Sequence, residues 1–486
     1  MLSVLPTMQT ALSSVQGFFS SVPAVLWYLI ILLAVVLVWF LALKRPVYEA
    51  VLVAFLVLVT VSGTWDQFPD FVKEALSEKT LYAMTAFVAM SVILTKTKVM
   101  DGVIAIILAL LGRIPGGTGY VSVMASSFMG AMSGSGPGNI MATGSMTIPA
   151  MIKSGFSPEL AANIVSNSSY MGNMIPPSNN ILVSHKEYVS LLAAGALIAP
   201  NVNVTQFWMV MWVISAWFIL HRLLMVFVFC KVYKIKAMPK EQLPSLRKSL
   251  KEHWQGLLLP VIIMAPFVLD YVCNNLYNLF EPRIGAEGAK NFAAAALLFI
   301  PGVATIFGFF ITKDKSQLKP KAIADEFGSA IKTIAPTVGV CLFGYMIGAL
   351  FDSLNFQKEM TAIIAKIHIH KLFMVILICI FTTIMGMIIP GSAIIKMFGG
   401  VCITALAGVG VDPLLAAAML PVICGVMCGI TPPLGLGLYA GMSIAGSDFD
   451  KTVKNNWWWV IGQFAMQVVI LMGLLPVMEL ANLLIK

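Results

Sequence analysis

Apolar runs long enough to cross a lipid bilayer recur along the whole of this 486-residue chain. Residues 26–43, 47–63, 207–229, 257–272, 292–311 and 457–475 are examples. A membrane helix needs about 20 predominantly apolar residues to cover roughly 30 Å of hydrocarbon. Only 11% of the residues are charged and 59% are hydrophobic, whereas soluble chains carry about 25% charged residues. The pattern predicts an all-α polytopic membrane protein of about ten or more spans, its surface covered by the lipid bilayer.

The net charge of +9 is concentrated. Residues 231–251 hold seven cations and one acid, Glu241, and residues 313–321 hold four lysines. Two apolar runs separate these loops, so both fall on one side, the cytoplasmic one by the positive-inside rule. Residues 273–290 then face outward. Positive-inside topology is favoured over nucleic-acid binding as the reading of this charge. Residues 1–25 lack an early Lys or Arg, which argues against a cleaved signal peptide and suggests a short amphipathic or irregular lead-in. The seven cysteines are scattered. Cys424 and Cys428 share a helix face, but no His, Asp or Glu joins them, so they read as packing residues.

The chain contains an internal repeat. The segment SGFSPELAANIVSNSSYMGNMIPPSNN (154–180) has a partner in VGVDPLLAAAMLPVICGVMCGITPPLGL (409–436). Pro158 matches Pro413, Pro176 matches Pro432 and Ser135 matches Ser392, at separations of 255, 256 and 257. Each half therefore has an apolar arm, a small-residue tip, a second arm, a helix and a Pro-Pro break.

The first tip, SGSGPGN (133–139), is expected to stop a helix. Its flanking arms, 120–132 and 140–152, are about 13 residues, or about 20 Å, long. Two such arms predict a re-entrant hairpin. In the second half, 394–407 is similarly short, while 373–389 nearly spans, so the hairpin reading there rests on the repeat. Pro176–Pro177 removes two backbone donors and disfavours the helical region at Ile175. The helix from Pro158 should break over 172–177, and its counterpart over 429–433. Non-helical backbone at membrane depth survives only under protein or beside a watery cavity. A duplicated pair of such breaks points to the midplane site of a secondary transporter.

LLGRIPGG (110–117), SGSG, IPPS (175–178) and GVDPLLAAAMLPVICGVMCGITPPLGLGLY (410–439) resemble the large membrane subunit of tripartite ATP-independent periplasmic (TRAP) transporters, within the ion-transporter superfamily. The likeness runs from about Trp27 to the C-terminus. It implies an inverted repeat with two re-entrant hairpins and two interrupted helices, arranged as an elevator-type scaffold plus transport domain. It also implies sodium-driven import of a small organic anion, typically a carboxylate, across the bacterial inner (cytoplasmic) membrane. The implied partners are a periplasmic substrate-binding protein and a small membrane subunit, which is not expected to be fused to this chain. No organic cofactor is expected. The domains would be a lead-in (1–23), scaffold helices (24–100), a first transport half (101–200), scaffold helices with basic loops (201–350), a second transport half (351–450) and a final span (451–486). Two features depart from the family. The second tip reads GMIIPGSAIIK, without the acidic residue often found there, and Lys396 lies one turn beyond Ser392.

On this resemblance, one sodium site is expected per hairpin and break. The first would draw on Ser133, Ser135, Gly136 and Asn139 against Gly172 and Asn173. The second would draw on Gly386 and Ser392 against Gly429 and Thr431. Asn179, Asn180 and Thr143 are candidate substrate ligands. The alternative role of these small and amide residues is close helix packing. Lys396 corresponds to Asn139 at the 257 offset. A lysine there is expensive and needs a partner. It either pairs a substrate carboxylate, replaces a cation, meets an acid elsewhere in the chain or snorkels to an interface. His221–Arg222 is expected to keep its surroundings wet. Asp352 and Lys358–Glu359 read as a solvated loop, KNNWWWV (454–460) as an interfacial anchor, and RPVYEA (45–50) as a tight turn.

A membrane enzyme is disfavoured, because none of the five histidines is placed to activate a buried serine. A channel is disfavoured by the duplicated broken helices. A stand-alone ion-coupled carboxylate carrier of the same superfamily stays open as the alternative.

Overall fold

The computed structural model describes the chain except residues 1–22, 44, 79–80, 83–84, 87–88, 91–92, 95–96, 98, 134–135, 239–240, 242, 260, 263–264, 266–280, 286–300, 313–315, 317–318, 366–368, 388–390, 432–434 and 486. Among the described residues the regular structure is helical, with no strand. The lead-in, most of the outward segment 273–290, Ser135 and the Pro432–Pro433 pair lie outside the described residues.

The first helices follow the apolar runs. α1 spans Ala24–Leu37 and ends in a π-turn at Val38–Ala42. α2 spans Val47–Ser62 and stops at Gly63, whose left-handed φ of 70° suits a residue without a Cβ. The turn expected over 45–50 is confined to its first two residues, since Val47–Ala50 already belong to α2, and Arg45 Nε donates to Glu49 Oε2 in that helix at 2.8 Å. α3 (Phe68–Ser77) and α4 (Val99–Leu111) follow.

The first hairpin is α5 (Gly117–Ser133) with α6, which is continuous through Gly136–Asn139, a π-turn at Ile140–Gly144 and Ser145–Lys153. Thr118 Oγ1 and Ser154 Oγ, 2.6 Å apart, tie its open end. The tip is shorter than the sequence suggests, because Gly-Pro-Gly-Asn (136–139) is helical. Proline is tolerated in a first turn, where its missing N–H has no partner to lose. α5 has 17 residues, about 25 Å of helix, so the arm is longer than expected.

α7 (Pro158–Ser169) starts where Ser157 Oγ accepts from Leu160 N at 3.2 Å. It tightens into a 3₁₀ turn at Tyr170–Asn173 and yields to non-helical backbone before α8 (Asn179–Ala193). The predicted break is thus present. α9 (Val204–Val232) is capped by a reciprocal Asn203–Gln206 box. α10 (Leu246–His253) lies in the basic segment. α11 (Pro320–Ser353) is one 34-residue helix that takes in Asp352, expected in a loop, in its last turn. Lys358 and Glu359, expected in a loop, are exposed on α12 (Phe356–Ala365), a short helix.

The second hairpin is α13 (Lys371–Gly386) with α14 (Gly391–Gly408). α15 (Pro413–Ile430) includes a π-turn at Pro421–Val426, and α16 (Leu436–Ala445) resumes after the second break. Asp412 Oδ1 caps α15 by accepting from Leu415 N at 2.9 Å. Ser157 and Asp412 are 255 residues apart, so the repeat extends to the caps. α17 spans Phe449–Leu471 and α18 Val477–Ile485. α17 begins before KNNWWWV, so the three tryptophans face three ways. Trp457 and Trp458 are exposed, while Trp459 is fully buried. Trp459 is therefore a packing residue, while Trp457 and Trp458 remain on the surface.

Among the described residues three helices, α9, α14 and α15, are each long and apolar enough to cross a membrane. Shorter apolar helices, among them α1 and α13, accompany them. α1, α2, α3 and α11 pack together, and α11 packs in turn on α14. α7 lies along α16, and α8 along α14, so the two halves interleave. Arg222 on α9 has no exposed surface, which overturns the expectation of a wet environment around it.

Candidate functional site

Each hairpin packs the end of its first arm on the last turn of the helix that leads into a break. A Cβ at Gly130 would lie 2.8 Å from Gly172 Cα, and one at Gly386 would lie 3.1 Å from Cys428 Cα. Residues 130 and 386, like 172 and 428, are 256 apart. The same contact therefore occurs twice, and it depends on small residues that let two backbones approach. Gly172 and Gly386, both candidates from the sequence, serve this approach.

Around the first tip lies a buried polar cluster. Asn139 Nδ2 donates to the carbonyls of Ser126 at 2.7 Å and Ser169 at 3.1 Å, joining both hairpin arms to α7. Thr143 Oγ1 donates to Asn139 O at 2.8 Å and lies 3.4 Å from Asn139 Oδ1. The hydroxyls of Ser126, Thr143 and Ser169 form a triangle with edges of 3.1, 3.2 and 3.5 Å. All four side chains are fully buried. Asn139 and Thr143 are thus brought together as expected. Ser126 on α5 and Ser169 on α7 are not legible as partners, since the facing of neither helix follows from local sequence. Ser133 ends α5, and Ser135 lies outside the described residues.

Asn173 turns away from this cluster. Its Nδ2 donates to Gly425 O, in the other half, at 2.6 Å. Asn180 approaches the same Gly425, where a Cβ would strike its amide. Gly391, at the start of α14, also packs on Gly425. Asn173 and Asn180 therefore meet the second half instead of the first tip. Asn179 Oδ1 is buried without a hydrogen-bond partner. Ser392 sits half-buried in the first turn of α14. Thr431 Oγ1 donates back to Met427 O at 2.6 Å, closing α15.

Tyr170 is the residue that sequence reading missed. Its ring occupies a cradle made by Gly136, Gly429 and Gly437, at each of which a Cβ would overlap it. Gly136 and Gly429, singled out as ion ligands, here make room for an aromatic ring. The available signal was an aromatic directly before the Gly172–Asn173 break, in a half whose counterpart position is Val426.

Lys396 finds an acid within the chain. Its Nζ donates to Glu187 Oε1 at 3.2 Å, and the side chains are 11% and 3% exposed. Lys186, beside Glu187, pairs with Glu78. Both ammonium groups lie by the Tyr345 ring of α11, at 5.9 and 6.0 Å. Lys396 therefore faces α8 and α11, with its charge already matched.

No group of three or more His, Cys, Asp or Glu suited to a metal occurs among the described residues. The ligand chemistry on offer is instead neutral oxygen. The family model for the tripartite ATP-independent periplasmic transporter, DctM component, matches residues 25–478. The chain belongs to this family. A DctM chain is the large permease component of a secondary transporter and not an enzyme. The C4-dicarboxylate TRAP transporter large permease protein DctM of Pseudomonas aeruginosa is 23% identical over 409 residues, 84% of this chain and 87% of that one. The sialic acid TRAP transporter large permease protein SiaM of Vibrio cholerae is 23% identical over 385 residues, 77% and 80% of the two chains. Among solved structures, MtrF of Neisseria gonorrhoeae superposes with a TM-score of 0.58 at 14% identity, over 85% of this chain and 86% of that one. This likeness shows a shared helical fold.

Proposed function

We propose that this DctM chain is the membrane carrier of a sodium-driven import system for a small organic anion in the bacterial inner membrane. A periplasmic substrate-binding protein delivers the cargo, and a small membrane subunit packs on the scaffold. The observation that carries the reading is the repeated seating of a hairpin on the helix turn beside a break, Gly130 on Gly172 and Gly386 on Cys428. Breaks of this kind leave main-chain groups available to ions and cargo.

The Ser126–Thr143–Ser169 triangle supports a sodium site, with Asn139 Oδ1 as a fourth oxygen. Such neutral oxygens suit a hard monovalent cation and let it leave again. Asn173, Asn179, Asn180 and Gly425, where the halves meet, are the proposed surroundings of the substrate. The names of the relatives from Pseudomonas and Vibrio support a carboxylate as cargo. In the proposed elevator motion, α1–α3 and α11 form the scaffold. The hairpins and broken helices move past it along the α11–α14 contact.

Uptake into proteoliposomes tests the reading. Labelled C4-dicarboxylates and sialic acid would be offered with and without a sodium gradient, the small subunit and a purified binding protein. Uptake is expected only with the inward sodium gradient and the binding protein. Full uptake without the gradient would reject sodium coupling. Full uptake without the binding protein would favour a stand-alone carrier.

A further inference from the structure

Arg222 lies on α9, a helix long and apolar enough to cross a membrane, and is 0% exposed. It belongs to none of the ion pairs among the described residues. Its guanidinium meets neutral groups only. Nη2 donates to Gln463 Oε1, Nη1 donates to His221 Nδ1 at 2.8 Å, and Nε reaches Asn167 O at 3.5 Å. The Trp459 ring lies 5.6 Å away. A buried ionised group without a counter-charge is costly, and in membranes such residues are matched by a partner or a polar cavity.

A second observation points the same way. Gln463 Nε2, Trp459 Nε1 and both amide atoms of Gln467 are buried without hydrogen-bond partners. Gln463, Gln467 and Trp459 are each 0% exposed. Buried polar atoms are normally satisfied, so a group of orphans beside an unmatched cation asks for a ligand. Because the guanidinium holds Gln463 by its oxygen, the end left over is an N–H donor. Gln467 is one turn along the same face of α17. One fixed positive charge with several unpartnered N–H groups is the donor set of an anion.

We propose that Arg222, Gln463, Gln467 and Trp459 form an internal site for one small monovalent anion of the halide class. A single negative charge matches the single uncompensated guanidinium. A spherical ion needs only N–H donors and no forked geometry. The bound anion ties α9 to α17 and rests on neither sodium coupling nor the identity of the cargo.

The test uses the purified full-length protein in detergent. Its melting temperature would be followed in sodium chloride, bromide, acetate and methanesulfonate at matched sodium concentration. Chloride and bromide are expected to give a saturating rise, retained in part by Arg222→Lys and lost in Arg222→Gln. Because Arg222→Gln risks misfolding, chloride-35 NMR of the unaltered protein is the second measurement. Line broadening by the protein, reversed by bromide, is expected. An equal halide shift in wild type and Arg222→Gln overturns the site, as does broadening that bromide leaves unchanged. An Arg222-dependent rise in acetate that displaces bromide also overturns the halide assignment, in favour of a carboxylate.

Discussion

Lys396 Nζ, on the second arm of the second hairpin, donates to Glu187 Oε1 on α8 across 3.2 Å. The ion pair thus links the two halves of the repeat. Removing one partner of a buried pair leaves an uncompensated charge and costs about 3–5 kcal/mol, whereas replacing both with apolar residues is often neutral. Lys396→Met and Glu187→Leu are each expected to lower the melting temperature sharply. The double variant is expected to recover most of the loss. Additive single losses in the double variant would show that the contact is not an energetic pair.

Asn139 supplies both hydrogens of its amide to main-chain carbonyls. Asn139→Asp removes both donors and sets a carboxylate against two carbonyl oxygens. Each buried group left unsatisfied costs about 1–3 kcal/mol. Asn139→Asp is expected to be less stable than Asn139→Ala by thermal melting. The reverse order would place the Asn139 side chain outside the carbonyl clip.

Gly429→Ala would drive a methyl into the Tyr170 ring. It is expected to cost about 1–3 kcal/mol, as overpacking does, and to abolish uptake. Tyr170→Ala in the same chain should restore part of the stability that Gly429→Ala loses. No recovery would mean that the ring and the glycine are not in contact.

Ser126→Ala and Ser169→Ala each delete one oxygen of the proposed sodium triangle without adding bulk. Loss of about 1.4 kcal/mol of ion binding corresponds to a tenfold weaker site. Each variant is expected to need about tenfold more sodium for half-maximal uptake, at nearly unchanged substrate affinity. Unchanged sodium dependence in both would move the coupling ion elsewhere.

The architecture was largely legible along the chain. Apolar runs and proline pairs are local signals, and Pro158, Pro413 and the 176–177 break act within a turn or two of themselves. The repeat could be read because duplicated spacing needs no coordinates. Side-chain facing is a different matter. Whether Asn173 meets the first tip or Gly425 depends on how two halves separated by about 250 residues interleave, and no local periodicity encodes that.

Sequence by itself determined a helical membrane chain, two hairpin-and-break units and the family to which they belong, because hydrophobic period and backbone chemistry are properties of neighbouring residues. Only the tertiary structure decided that Lys396 answers to Glu187, that the glycines of the tips and breaks cradle Tyr170, and that Arg222 is dry. Those outcomes depend on which helix faces are pressed together, and burial, pairing and desolvation exist only once they are.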